Sequence, residues 1–332
     1  MKTEIKPNLS GDFVNKKDNQ TYYFVADAVI KKELAIFNFN TGQLVDKFSI
    51  KKACAIISNQ IESIEMINMD TILFLGKGKP NVLVFSNNQD SVWKQVDLNK
   101  FANKGKVYYR FINPKFYDGK IIFGTDFYLN DLGKSQNLAA EEVLDLQRET
   151  YKCAIYDIQN DTMTFILPRY IKEIFPQGTF GASMLNFVVI KNKLFVTSEY
   201  DDSFGICELD AANSFRRFKI EVPGLVIGKP KTKIEDISKS QEMPLYRGFS
   251  YVNSIIYMDK MDAIAFQVFA LNSSMDRMKS VYPCYNLSGK YLGLLCYDGH
   301  SFMDGGIYNI GNYYAYSSKL FLDMDEPYYF IQ

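Results

Sequence analysis

Two arginines sit among aromatic residues, Arg110 in Tyr108-Tyr109-Arg110-Phe111 and Arg247 in Tyr246-Arg247-Gly248-Phe249. A guanidinium holds a carboxylate, phosphate or sugar acid through two parallel hydrogen bonds and stacks on rings, so this pair offers anion-binding chemistry. The simpler alternative spends each arginine on Asp126, Glu199 or a carboxylate of a neighbouring element. A second set is acidic: Asp27, Asp126, Glu199 and Asp201, with Tyr200 beside the last two. Carboxylates converging on one point would suit a hard divalent cation such as calcium, which could activate water for hydrolysis or lactone opening. The alternative is that they are solvated strand ends. We expect no catalytic residue, metal or cofactor, with a calcium-assisted hydrolase or lactonase as the alternative.

Other chemistries find little support. His300 is the single histidine and lies in the turn-like Asp298-Gly299-His300, which excludes sites built on several histidines. Gly76-Lys77-Gly78-Lys79-Pro80 lacks the spacing of a phosphate loop and reads as a hairpin connection. Asp304-Gly305-Gly306 reads as a turn. Cys54, Cys153, Cys207, Cys284 and Cys296 are odd in number and include no C-x-x-C pair, so they read as buried thiols. Trp93, the one tryptophan, falls in an outer strand and reads as packing between neighbouring elements.

The elements that must position these residues recur along the chain. Residues 184–222 read as a four-stranded antiparallel unit: 184–190, a turn at Lys191-Asn192-Lys193, 194–200, 205–210, a turn over 211–214, and 215–222. In the last run Phe218, Ile220 and Val222 alternate with Lys219 and Glu221, the period of a strand with one buried face. The apolar second strand of the unit returns at 22–25, 71–75, 121–123, 194–196, 263–266 and 313–316. The hairpin after it returns at 35–50, 82–98, 154–167, 206–222 and 284–296, with Gly42 and Gly289 supplying tight turns. Six copies spaced by roughly fifty residues, or roughly seventy where something is inserted, lie in the period range of propeller blades. The last copy ends at 328–331, and residues 2–6 are expected to supply its missing outer strand and close the ring.

Antiparallel strands sort the connections onto two sides. The tight turns fall on one; the long connections 51–60, 101–106, 128–150, 168–183, 223–246 and 270–280 fall on the other. A short helix is expected over 137–149, and 223–241 reads as a flexible flap. Asp27, Asp126, Glu199, Tyr200, Arg110 and Arg247 then gather at the channel mouth on the long-connection side.

The blade rhythm and the hairpin Asn286-Leu287-Ser288-Gly289-Lys290-Tyr291-Leu292-Gly293 resemble the bacterial six-bladed β-propeller proteins of the TolB-like and NHL-like type, many of them exported or lipid-anchored. The resemblance implies an all-β fold: one six-bladed β-propeller of four-stranded antiparallel blades spanning 1–332, with insertions at about 128–150 and 223–246, closed by the N-terminal strand. Lys plus Arg and Asp plus Glu are 38 each, so no basic surface argues for nucleic acid. No run of about 18 apolar residues exists to span a membrane, and residues 1–10 lack the apolar core of a signal peptide. The expectation is a periplasmic or cell-surface protein if an export signal has been removed, and a cytoplasmic one otherwise. Its expected role is to bind a protein, peptide or glycan without catalysis, through Arg110, Arg247, Asp126, Glu199 and Tyr200.

Overall fold

The structure is a computed structural model that describes residues 9–15, 18, 20–38, 41–77, 79–105, 107–129, 149–168, 185–198, 201–222, 225, 227, 250–258, 261–271, 278–296, 306–310, 313–317 and 329–331. The first sheet joins β1 (Leu9–Asn15), β2 (Gln20–Asp27), β3 (Glu33–Asn38) and β4 (Leu44–Ser49) in that order. The helix α1 (Lys51–Ile56) leads to the second: β5 (Ile61–Asn68), β6 (Thr71–Gly76), β7 (Val82–Ser86) and β8 (Val92–Asp97). After α2 (Asn99–Ala102), β9 (Asn103–Lys104) folds back onto β10 (Val107–Tyr117), which β11 (Lys120–Leu129), β12 (Tyr151–Asp157) and β13 (Thr162–Pro168) extend into a third sheet. The fourth is β14 (Leu185–Ile190), β15 (Lys193–Ser198), β16 (Ser203–Glu208) and β17 (Ala211–Lys219). The fifth is β18 (Tyr251–Met258), β19 (Ala263–Leu271), β20 (Met278–Asn286) and β21 (Tyr291–Cys296). A sixth, of three strands among the described residues, joins β22 (Gly306–Ile310), β23 (Tyr313–Ser317) and β24 (Tyr329–Ile331).

The second strand of every sheet falls on one of the six runs expected from the sequence. The run in β6 is continuously apolar because both faces of the strand are covered: Ile72, Leu73, Phe74 and Leu75 are all fully buried. Ile72 and Phe74 pack toward the first sheet, Leu73 and Leu75 toward the third. Outer strands alternate instead, as β8 does with only Val96 buried among its residues. The turn between β14 and β15 needs positive φ at two successive residues, and Lys191 (φ 47) and Asn192 (φ 63) provide it; the type I′ geometry matches the twist of the strands it joins.

Successive sheets are stitched by buried polar side chains as well as by apolar packing. Asp90 accepts the Ser49 hydroxyl and the Lys52 N–H, joining the first two sheets. Asn81, fully buried, donates to Tyr109 O at 2.7 Å and accepts the Phe111 N–H at 2.8 Å, joining the second and third. The Tyr117 hydroxyl accepts the Asn192 N–H at 2.6 Å across the next junction. Tyr285 does the same one junction further on, accepting from Glu221 N at 2.5 Å and donating to Lys219 O at 3.2 Å.

Several expectations are corrected. The turn expected over 211–214 lies at Leu209 and Asp210, because Glu208 pairs directly with Ala211 and a bulge behind it absorbs the extra residue. The connection 51–60 is not a bare loop but contains α1, with Ala53 and Cys54 buried against the first core. The third sheet has a fifth strand, β9, where four were expected. The closing strand expected at 2–6, the helix expected over 137–149 save Glu149, and the flap expected over 223–241 save Leu225 and Ile227 lie outside the described residues.

Candidate functional site

The first strands β5, β10 and β14 stand next to one another and line an open cavity of about 200 Å³. Its polar lining is Ser63 and Glu65 from β5, Asn113 and Lys115 from β10, and Asn186 from β14, with Phe187 as the aromatic wall. The cavity owes its shape to a bulge: the register of β10 against β11 shifts between Ile112 and Lys115, where Asn113 takes φ 49 and Pro114 has no N–H to give the ladder. Lys115 Nζ lies 3.1 Å from Glu65 Oε2, and Arg110 on β10 is ion-paired with Glu62 on β5. Both pairs therefore cross between the second and third sheets, and Lys115–Glu65 lies in the lining of the cavity. The Ser63 hydroxyl is buried and makes no hydrogen bond. Chemically the cavity presents a donor and acceptor array carrying both signs of charge, suited to recognising a polar ligand.

Of the residues singled out in the sequence, Arg110 and Asp126 are described; Arg247, Glu199 and Tyr200 lie outside the described residues. Arg110 and Asp126 are direct cross-strand partners in the register of β10 and β11. The guanidinium nevertheless pairs with Glu62, as the structural alternative for this residue anticipated in kind, across two sheets. Asp126 Oδ1 accepts the N–H of Phe127 at 2.9 Å. The Asp126 charge also acts on Lys152, a lysine 1% exposed whose ammonium stands 5.8 Å over the Phe127 ring. Burial draws the Lys152 ammonium down to about 8, and Asp126 opposes that shift.

Three of the four acidic residues are described, and each has local hydrogen-bond partners. Asp27 Oδ1 accepts the N–H groups of Val29 and Ile30 at 3.2 and 2.8 Å. Asp201, fully buried, receives Arg217 Nη2 at 2.6 Å and the Ser203 N–H at 3.1 Å. Asp27, Asp126 and Asp201 belong to three different sheets, and among the described residues no three His, Cys, Asp or Glu side chains converge as metal ligands would. Sequence reasoning missed Glu62, Ser63, Glu65, Lys115 and Asn186. A signal was there: Ile61-Glu62-Ser63-Ile64-Glu65 puts charges inside a strand run, and Asn113-Pro114 in mid-strand marks a bulge.

A second cleft, of about 310 Å³, lies between the second and third sheets and is lined by Ile67, Phe85, Trp93, Phe116 and Ile158 with Thr71, Gly119 and Gln159. Trp93 on β8 packs on Phe85 of the paired strand β7, ring centroids 5.1 Å apart, and remains 54% exposed, so its ring contact lies within the second sheet and not between sheets.

No known protein-family profile matches the chain. No curated protein matches it either. Among solved structures it is similar to a member of the DUF4221 family from Bacteroides vulgatus, with a TM-score of 0.66 at 12% identity over 95% of this chain and 89% of that one. The fold is a β-propeller. At that identity the likeness extends to the fold alone. A luciferin-regenerating enzyme (TM-score 0.47, 9% identity, 98% of this chain and 88% of that one) and Hsv2 of Kluyveromyces lactis (0.44, 10%, 92% and 88%) are more distant, and nothing further rests on them.

Proposed function

We propose that this β-propeller has six blades and binds a protein, peptide or glycan partner on its long-connection face, at the mouth of the central channel, without catalysing a reaction. Support for six blades comes from the succession of contacts: β1 against β5, β5 against β10, β10 against β14, β14 against β18, β18 against β22, and β22 against β2. The first sheet is also buried on both faces. Phe24 and Ala26 pack toward the second sheet, while Val25, Ala35 and Phe37 form a separate buried cluster on the opposite face, where a sixth blade would sit. Residues 2–6 would then complete the three-stranded sixth sheet, making 1–332 one domain.

The reading is supported by the Lys115–Glu65 ion pair and the unsatisfied Ser63 hydroxyl in the cavity lining, with a second pair, Arg110–Glu62, crossing between the same two sheets. Partly exposed pairs contribute little to stability, whereas a ligand carrying carboxylate, amide or hydroxyl groups can exchange with them and gain charge-assisted hydrogen bonds. Arg247, Glu199 and Tyr200 are proposed to extend this wall at the mouth. The test is a glycan array and a displayed peptide library probed with the full chain, followed by titration of each hit. A hit that Lys115→Ala and Arg110→Ala each weaken about tenfold, with folding intact, supports the channel. Hits indifferent to both substitutions, or calcium-dependent lactone turnover, would contradict the reading.

A further inference from the structure

The turn after β2 presents two neighbouring aliphatic side chains to solvent, Val29 at 66% and Ile30 at 69% exposure. It is held rigidly, because buried Asp27 caps the N–H groups of both residues. Lys31 and Lys32 follow at once. Hydrogen bonds gather further lysines onto this rim: Ile50 N donates to Lys32 O at 2.9 Å, bringing Lys51 and Lys52; Lys32 Nζ reaches Asn59 Oδ1 at 2.8 Å; and Lys77 N donates to Gln60 O at 2.7 Å, bringing Lys77 and Lys79. Lys51, Lys52, Lys77 and Lys79 are exposed. Among the described residues, no ion pair engages the ammonium groups of Lys32, Lys51, Lys52, Lys77 and Lys79. The rim's carboxylates are otherwise occupied: Asp27 and Asp90 are buried on backbone donors, Glu33 pairs with Lys47, and Glu62 with Arg110.

We infer that this rim of the first and second sheets is a peripheral contact for an anionic lipid surface, with Val29 and Ile30 entering the interface and the lysines meeting the headgroups. Among the described residues the ammonium groups of Lys32, Lys51, Lys52, Lys77 and Lys79 have no ion-pair partner, and their common sign suits a polyanionic surface; the exposed aliphatic pair at the tip of the turn adds what a lipid interface rewards and a soluble polyanion does not. The inference goes beyond the channel reading and shares no residue with its test.

Vesicle flotation of the full chain tests it, with phosphatidylcholine vesicles prepared with and without phosphatidylserine. The chain should float with the phosphatidylserine vesicles only and be released as salt rises. Val29→Ser with Ile30→Ser should weaken partitioning about tenfold, and each of Lys51→Gln and Lys77→Gln about fivefold. All four sites are exposed, and unchanged melting temperatures confirm folding. Arg110→Ala and Lys115→Ala should leave flotation unchanged, so failure of the channel reading would be seen separately. No flotation, equal flotation on both vesicle types, or an unaffected tip variant would overturn the inference. Salt-sensitive binding to polyglutamate with no effect of the tip variant would assign the rim to an acidic peptide instead.

Discussion

Lys152 carries an ammonium into the packed third sheet, where its visible compensation is the face of Phe127 and the charge of Asp126. Its folded pKa of about 8 lies below the roughly 10.4 of an unfolded lysine. Between those values the unfolded chain binds more protons, so this group makes stability rise with pH. The full cost is present below about pH 8 and gone above about 10.4. Lys152→Met should therefore stabilise the protein by on the order of 2 kcal/mol at pH 7, and the gain should shrink as pH approaches 10. Urea midpoints of both proteins across that range measure it. The comparison must be with the variant, since burial raises Cys54 to about 11 and Tyr285 to about 12, and these groups pull stability the other way as the unfolded chain ionises. Asn81 is the other residue with a sharp expectation. Asn81→Ala would orphan the Phe111 N–H and the Tyr109 carbonyl while keeping φ 64, costing about 2–4 kcal/mol by urea denaturation.

At the scale of elements, the hairpin of β16 and β17 shows what the sequence conceals. Phe215 was legible as a strand residue, but nothing local says that its ring lies over Gly205, where an added Cβ would come within 2.1 Å of it. Gly205→Ala should therefore cost about 1–3 kcal/mol and perturb near-ultraviolet circular dichroism of the aromatic core. Second strands were readable because neighbours cover them on both faces, as in Ile72–Leu75. First strands were harder, since they carry Glu62, Glu65 or Lys115 within apolar runs, the last two lining the cavity. The partner of Arg110 was hidden for a related reason: Asp126 is its neighbour in the hairpin register, while Glu62 lies 48 residues away and becomes adjacent only when two sheets pack. The helix α1 was missed because its six residues lack a capping side chain and any periodic pattern long enough to register.

For the molecule as a whole, repetition made the propeller legible: one supersecondary unit recurs, and each copy buries its faces on the next. The polar clasps at the junctions were not legible, because Asp90, Asn81, Tyr117 and Tyr285 occupy non-equivalent positions and share no motif. The proposed channel depends on ring closure, with β2 against β22. A photo-crosslinking residue at Tyr23, on the face of β2 turned away from the second sheet, tests this most directly. Mass spectrometry of the intramolecular product should find links to the segment 306–317. Links confined to the first two sheets, with none to the C-terminal strands, would mean an open array with no channel.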